Sequence, residues 1–306
     1  DQIALLARAL LKAKDQRLDL LPAGEASIEA LRSHSFDVKG QPVRATLHAI
    51  SGLGFTPAFV WLDENDELFA LSYGWMGLAP QGATGVVEEA GRLQEEAEAA
   101  WLRKRAQELT QAMPGSWCLR NARWLDVDAG EMQPASNIRV KDGVIEAVGA
   151  PGDVDCADLA SIDAGGRVVL PGLWDMHVHA TAQDGLLHVA NGVTGARDLG
   201  NEHEVVMGLA RDFNSGELIG PRLQRAGFID KKSPYTAPTG TPVETLEQAL
   251  AQIDDYAGKG YQQVKIYSSI PPEWVAPMAE RMHGHGMRLS GHIPAFMTAE
   301  EAVRAG

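Results

Sequence analysis

Cysteine is scarce in this chain of 306 residues, and long apolar runs are missing altogether. No stretch of about 18 consecutive apolar residues occurs, so we expect no membrane-spanning helix. Lysine and arginine number 27 against 41 aspartate and glutamate residues, which gives a formal net charge of −14. This shortage of positive charge argues against nucleic acid or an acidic membrane surface as a partner.

The two cysteines, Cys118 and Cys156, do not form a Cys-x-x-Cys motif. Both lie in one β-rich stretch, where a disulfide would form if the protein were exported. Two unpaired, buried thiols are the simpler interpretation. The chain begins at Asp1 without a signal-peptide pattern, so we expect a processed or trimmed product whose removed part could have been an export signal. A periplasmic or exported location is therefore suspected, with the cytoplasm as the alternative.

Residues 1–114 predict an α+β accessory domain. Residues 1–13 place apolar side chains three or four positions apart, as an amphipathic helix does. Residues 34–75 alternate apolar and polar side chains, which indicates half-buried strands. A charged, alanine-rich segment, roughly 85–112, is typical of one long helix, and a Pro-Gly step ends it. This domain shows no set of catalytic side chains.

Residues 115–170 predict a second, β-rich unit. Two apolar runs, 137–140 and 144–148, flank the sequence Lys141-Asp142-Gly143. An Asp-Gly step between two such runs is a strong signal for a tight β-hairpin.

Residues 171–306 predict an α/β domain with a parallel sheet. Short apolar strands alternate with helical segments, as in repeated βαβ units. The candidate strands lie at about 168–177, 193–198, 222–226, 262–267 and 287–291.

The nine residues 171–179, Pro-Gly-Leu-Trp-Asp-Met-His-Val-His, carry the most specific chemical signal. Side chains at positions i and i+2 of a strand point to the same face, so His177 and His179 project together. Two imidazoles on one face at a strand end are suitable ligands for one transition metal ion. A His-x-His pair alone is weak evidence, because most such histidines are core or surface residues.

Taken as a whole, this string resembles the first-strand metal motif of the amidohydrolase superfamily, the metal-dependent hydrolases built on a (β/α)8 TIM barrel. The resemblance covers residues from about 117 to 306. It implies that 115–170 is the small β-sandwich that precedes such barrels, and that 171–306 holds barrel strands one to five. The segments Lys-Ile-Tyr-Ser-Ser and Gly-His-Ile-Pro are similar to the branch that contains imidazolonepropionases and prolidase-like dipeptidases. The domain at 1–114 is similar to extensions on some exported bacterial members.

Lys265 lies within an apolar strand pattern, where a lysine is costly unless it is paired or chemically altered. Alternation places it on one face with Gln263 and Tyr267, and so directs it into the predicted barrel. The resemblance implies that this lysine takes up carbon dioxide and that the resulting carbamate bridges two metal ions. A lysine whose ammonium pairs with a carboxylate is the structural alternative.

His292 closes the fifth predicted strand at the end where barrel enzymes place their catalytic groups. It matches the strand-five histidine ligand of the family. His283 and His285 precede this strand, so we expect them at the opposite mouth of the barrel, more than about 15 Å away.

Three further residues are candidates for supporting roles. Asp175 precedes His177 by two positions, so we expect it on the same face, where it would orient a ligand histidine from behind. Tyr267 could hydrogen-bond a substrate carboxylate, and a packed tyrosine is at least as good an interpretation. For Asp198, capping a loop and taking part in function are equally good interpretations. We expect His188 and other helix or loop histidines to be structural.

The resemblance implies a binuclear centre, most simply zinc, held by four residues: His177, His179, Lys265 and His292. Two cations lower the pKa of a bridging water, and the hydroxide attacks a carbonyl polarised by metal. The implied function is hydrolysis of C–N bonds in small peptides or cyclic amides, with a small-molecule or dipeptide-like substrate. The alternatives are a mononuclear, deaminase-like hydrolase with unmodified Lys265, and a non-catalytic scaffold.

The family's strand-six histidine and its strand-eight aspartate, the acid/base, have no counterpart before Gly306. We therefore expect these residues in a longer native protein or in another chain that acts as a complementing C-terminal half. A homo-oligomer is a separate expectation for the partners of this chain. We expect this chain alone to bind metal poorly and to have no turnover.

Overall fold

The computed structural model describes residues 2–54, 56–73 and 76–306, and the chain divides into two compact units. One unit comprises residues 1–108 with 181–187, and the other comprises 109–180 with 188–306. The three-part division of the sequence, with boundaries at 114/115 and 170/171, stays a prediction. Within the described ranges, no helix is both long and apolar enough to cross a membrane.

The N-terminal unit contains an antiparallel sheet whose strands follow one another in chain order. The strands are β1 (Arg17–Asp19), β2 (Glu25–Val38), β3 (Gln41–Ser51), β4 (Ala58–Asp63), β5 (Leu68–Ser72) and β6 (Gly77–Leu78). The helices are α1 (Gln2–Lys12) and α2 (Thr84–Leu109).

The two faces of this sheet bury different apolar clusters. Leu47 and Trp61 pack in one cluster with Leu93 of α2. Ile50 packs in the other cluster with Leu10 of α1. Because successive strand residues point to opposite faces, the alternating pattern supplies both clusters. The predicted N-terminal helix and the predicted long helix are confirmed.

The second unit begins with a mixed sheet, in which β8 runs antiparallel to its neighbours and the last two strands run parallel to β7. Its strands are β7 (Ser116–Asp126), β8 (Glu131–Lys141), β9 (Val144–Gly149), β10 (Ala160–Asp163) and β11 (Val168–Val169). The predicted hairpin joins β8 to β9, and positive φ angles at Asp142 and Gly143 form its turn. One boundary differs from the prediction: Val168 and Val169 pair with β7 of this sheet instead of opening the first barrel strand.

Cys118 and Cys156 form a disulfide in this unit, with Cα atoms 5.9 Å apart. Both are buried in a cluster with Val154. The simpler expectation of two unpaired thiols is therefore wrong. Alternation within β7 faces Cys118 inward, and the loop that carries Val154 brings Cys156 against it.

A curled parallel sheet follows, with its strands in the order β12, β13, β14, β16, β17 and with β15 beside β14. The strands are β12 (Leu173–Val178), β13 (Val193–Asp198), β14 (Arg222–Lys231), β15 (Thr241–Val243), β16 (Gln263–Ile266) and β17 (Arg288–Gly291). The helices are α3 (Ala182–Ala190), α4 (His203–Ser215), α5 (Leu246–Gly258), α6 (Pro272–Gly284) and α7 (Ala299–Ala305). The five predicted strands and their parallel arrangement are confirmed.

Helices cover one face of this parallel sheet, and the opposite, concave face carries candidate site residues. Val264 and Ile266 of β16 pack with Ile253 of α5 and Met278 of α6. Because neighbouring strand residues alternate, Lys265 stands on the opposite, concave face. The candidate site residues His177, His179, Lys265 and His292 lie at or near the carboxyl ends of these strands.

Candidate metal centre

His177 and His179 stand together at the carboxyl end of β12. Their ring centroids lie 5.6 Å apart. The pairing of β12 with β13 is irregular between Asp175 and Val178. His177 is exposed, yet desolvation of its ring, together with the positive charge of Lys265, lowers its pKa below the usual value of 6.5. A lowered pKa favours the neutral imidazole, which is the form that binds metal.

The backbone of Gly200 orients His179. Nδ1 of His179 lies 3.0 Å from the carbonyl oxygen of Gly200. A carbonyl accepts only, so Nδ1 carries the proton and Nε2 keeps its lone pair. An imidazole anchored in this way is typical of a metal ligand.

Asp198 holds the backbone that surrounds this histidine. Its carboxylate is completely buried and accepts hydrogen bonds from the N–H of Ala180 at 2.8 Å and of Gly200 at 3.0 Å. It also accepts one from Nδ2 of Asn201 at 2.6 Å. Asp198 therefore joins the loop after β12 to the loop after β13, and the loop-capping interpretation describes its contacts.

Lys265 is 2% exposed, and within the described residues it has no carboxylate in ion-pair distance. Its Nζ atom lies 4.8 Å from the ring centroid of Phe228 and 5.4 Å from that of Tyr267. Burial lowers the pKa of Lys265, and the charge of Asp198 opposes this shift in part. The predicted alternative, an ammonium paired with a carboxylate, is not what the structure shows.

His292 follows β17 and faces Tyr267, with ring centroids 4.2 Å apart. Burial and the charge of Lys265 lower the pKa of His292, and the charge of Asp230 raises it in part. The ring of Tyr267 also lies 5.4 Å from Nζ of Lys265, so His292 and Lys265 both lie against one aromatic ring.

Asp230 is a completely buried carboxylate that the sequence analysis missed. It lies near the end of β14 and accepts hydrogen bonds from the N–H groups of Lys231 and Ala237, both at 3.0 Å. The N–H of Ser269 also stabilises its charged form, while burial, the largest influence, raises the pKa of Asp230. The signal was present as an aspartate in an apolar strand pattern, but the predicted strand ended at 226, five residues before the observed end at Lys231.

The carboxylate of Asp175 contacts the backbone of His177 and the side chain of His188. Its Oδ1 accepts a hydrogen bond from the backbone N–H of His177 at 3.1 Å. Its Oδ2 lies 3.6 Å from Nε2 of His188 in α3. The irregular pairing after Asp175 breaks the strict alternation on which the expectation of a shared face was based. Any support for His177 therefore runs through the main chain.

Two of the remaining histidines of this unit have structural partners. His203 contacts the hydroxyl of Tyr261 at 2.8 Å, and His285 contacts Asp254 at 2.7 Å. His283 belongs to α6, ahead of β17, as expected for the opposite mouth of the barrel.

The donors fit a divalent transition ion in kind, although they do not close into a coordination shell by themselves. Among the described residues, no three His, Cys, Asp or Glu side chains gather into a metal-binding group. The observations in favour of a metal are the free Nε2 of His179 and the buried Lys265, which lacks an anionic partner. A further observation is the hydroxyl of Ser290, a buried polar atom without a hydrogen-bond partner in this part of the chain.

Comparison with known proteins identifies hydrolases of similar sequence and of similar fold. No family model matches the chain. An enamidase of Eubacterium barkeri is 31% identical over 196 residues, which is 56% of this chain and 49% of that protein. An adenine deaminase of Ruegeria pomeroyi is 33% identical over 153 residues, which is 46% of this chain and 24% of that protein. The chain thus spans at most about half the length of these curated relatives.

Among solved structures, a candidate prolidase from Bifidobacterium longum superimposes with a TM-score of 0.55 at 22% identity, over 64% of this chain and 53% of that one. This likeness supports the barrel fold of the parallel sheet. The enzyme names of these relatives and the fold agree with the His-x-His motif of β12, and together they support the resemblance to the amidohydrolase superfamily.

Proposed function

We propose that the full-length protein is a metal-dependent hydrolase of C–N bonds in small amides, with dipeptides or cyclic amides as the substrate class. One observation supports the proposal: the ring of His179 lies beside that of His177, and Tyr267 contacts both His292 and Lys265, all near the carboxyl ends of parallel strands. Barrel enzymes use this end of the sheet for catalysis.

His177, His179 and His292 are the residues that would hold the metal, together with Lys265 as a carbamate. Zinc suits imidazole ligands, and when bound it would supply hydroxide near neutral pH and polarise a substrate carbonyl. His179 contributes a lone pair of fixed direction, because its Nδ1 is engaged by Gly200. The lowered pKa values of His177 and His292 favour the neutral rings that bind metal.

The burial of Lys265 supports the carbamate. Its lowered pKa increases the fraction of neutral amine, which is the form that reacts with carbon dioxide. The carbamate is an anion, and bound cations would offset the free-energy cost of burying its charge.

Tyr267 is suited to bind a substrate carboxylate. Its ring is fixed by His292 at 4.2 Å and by Phe228 at 5.5 Å between centroids. Within the described residues its hydroxyl makes no hydrogen bond, so that the donor is free for a ligand. The names of the two relatives, enamidase and adenine deaminase, both denote enzymes that act on a bond between carbon and nitrogen.

A mononuclear, deaminase-like hydrolase is the second candidate, and one observation favours it. The rings of Phe228 and Tyr267 both lie within cation–π distance of Nζ, which stabilises an unmodified ammonium on Lys265. The two candidates differ in the number of metal ions and in the chemical state of this lysine.

The experiment is to measure metal content by plasma mass spectrometry on the full-length protein grown with zinc and bicarbonate. About two zinc ions per chain support the binuclear site, and about one supports the mononuclear alternative. No metal would overturn both and leave a non-catalytic scaffold.

The matched variants are His177→Ala and His285→Ala. We expect His177→Ala to lose metal and to abolish metal-dependent hydrolysis of a dipeptide panel. His285→Ala removes a histidine that contacts Asp254 on α5, and we expect it to retain both properties. Undiminished metal-dependent hydrolysis in His177→Ala would rule out this site.

A further inference from the structure

The hydroxyl of Ser290 is an unexplained polar group on the concave face of the parallel sheet. Its Oγ atom is buried and has no hydrogen-bond partner among the described residues. Burying a hydroxyl without a partner costs free energy, and such atoms in a native fold call for an explanation.

Ser290 is the register partner of Lys265 across the β16–β17 pair. Paired residues of neighbouring parallel strands stand on the same face, with the strands about 4.8 Å apart. On the other side of β16, the register partner of Lys265 is Phe228, whose ring approaches Nζ. Lys265 therefore has an aromatic ring on one side and an unused hydroxyl on the other.

With an unmodified Lys265, the hydroxyl of Ser290 has no hydrogen-bond partner among the described residues. The ammonium is a donor that Ser290 could accept, yet no hydrogen bond joins the two side chains, because Nζ lies against Phe228 and Tyr267. A carbamate adds two acceptor oxygens beyond Nζ, on the face where Ser290 offers a donor.

We propose that Ser290 is the positioning residue for a carbamate on Lys265, donating its hydroxyl hydrogen to one carbamate oxygen. This inference rests on the proposed binuclear function. In the modification, the lone pair of the neutral amine forms a bond to the carbon of carbon dioxide. One C–O π pair moves to oxygen, and the nitrogen releases a proton to solvent. The hydrogen bond from Ser290 stabilises the resulting anion and fixes its plane.

The test detects the carbamate itself rather than turnover. Full-length protein is equilibrated with ¹³C-labelled bicarbonate, and the lysine carbamate carbon is observed by ¹³C NMR as bicarbonate is varied. We compare the wild type with Ser290→Ala, Ser290→Thr and the exposed control Ser161→Ala. Circular dichroism melting establishes that each variant is folded.

We expect Ser290→Ala to need about 10-fold more bicarbonate for half-maximal carbamate, the effect of losing one hydrogen bond to a charged acceptor. Ser290→Thr keeps the hydroxyl and restores loading, and Ser161→Ala behaves as the wild type. Equal loading of Ser290→Ala and the wild type would overturn the role of Ser290 while leaving the carbamate intact. Absence of the resonance from the wild type would instead overturn the carbamate, and with it the binuclear function.

Discussion

Nδ1 of His179 lies 3.0 Å from the carbonyl oxygen of Gly200, and this contact decides which ring nitrogen is available. The same carbonyl accepts a hydrogen bond from Oγ1 of Thr239 at 2.8 Å. The backbone N–H of Gly200 in turn donates to Asp198. The predicted metal ligand His179 is thus oriented by the backbone of Gly200, which Thr239 and Asp198 fix through two further hydrogen bonds.

Gly200→Ala should displace His179. Gly200 has a φ of +158°, and a Cβ there would lie 2.8 Å from Cε1 of His179 and 3.1 Å from the ring of Phe228. We expect the zinc affinity of the full-length protein to fall about 10- to 100-fold, as for other groups that orient a ligand from behind. Competition with a chelator measures this affinity.

Gly208→Ala in α4 is the control, because a Cβ at Gly208 meets nothing within 4 Å. Zinc affinity equal to that of the wild type in Gly200→Ala would show that the contact does not position His179.

Asp198→Asn should destabilise the loops around the site. The carboxylate accepts hydrogen bonds from two backbone N–H groups and from the amide of Asn201. In the asparagine variant, one carboxylate oxygen is replaced by an NH₂ group, which cannot accept a hydrogen bond from these donors. We expect the free energy of unfolding to fall by about 1.5–3 kcal/mol, the contribution of a buried hydrogen bond to a charged group. Urea unfolding followed by circular dichroism measures it, with the exposed Asp158→Asn as control. Identical midpoints for Asp198→Asn and the wild type would contradict this role.

The sequence predicted the parts of the fold that repeat a local pattern. Alternation and βαβ order located the parallel strands, and the Asp-Gly step located the β8–β9 hairpin. The positions of His177 and His292 at strand ends follow from the same patterns. The roles of these residues remain predictions.

The sequence could not predict contacts that depend on register and on irregular pairing. The break after Asp175 changes which groups its carboxylate meets. Asp230 and Ser290 could be identified as residues of the candidate site only from the observed strand lengths and strand pairing. Pairing of Cys118 with Cys156 depends on a loop whose path no local pattern specifies.

Removing the disulfide should weaken the second unit. Cys118 and Cys156 are 38 positions apart, so their bond restricts a long loop in the unfolded chain. We expect Cys118→Ala/Cys156→Ala to lower the free energy of unfolding by about 2–4 kcal/mol. Urea unfolding with and without reductant measures the effect. Reductant should lower the stability of the wild type and leave the double variant unchanged, and a wild type insensitive to reductant would contradict the prediction.

The N-terminal unit should lose stability in mild acid because of His48. This side chain is 7% exposed and contacts the carbonyl of Thr46 at 3.1 Å. Burial lowers the pKa of His48 from its usual 6.5, while that carbonyl and Asp66 oppose the shift in part. The unfolded chain therefore binds the proton more readily than the folded one. The contribution of His48 is complete above about pH 6.5 and is lost as the pH falls through the lower, folded pKa.

His48→Gln removes this titration and leaves the carboxylates of the chain in place. We expect the free energy of unfolding of the wild type to fall more steeply between about pH 7 and pH 5 than that of His48→Gln. Urea unfolding at several pH values measures both slopes, and acid effects common to the two proteins cancel in their difference. Since the folded state must exclude the proton from a buried ring, equal slopes would mean that His48 is solvated or charged in the fold.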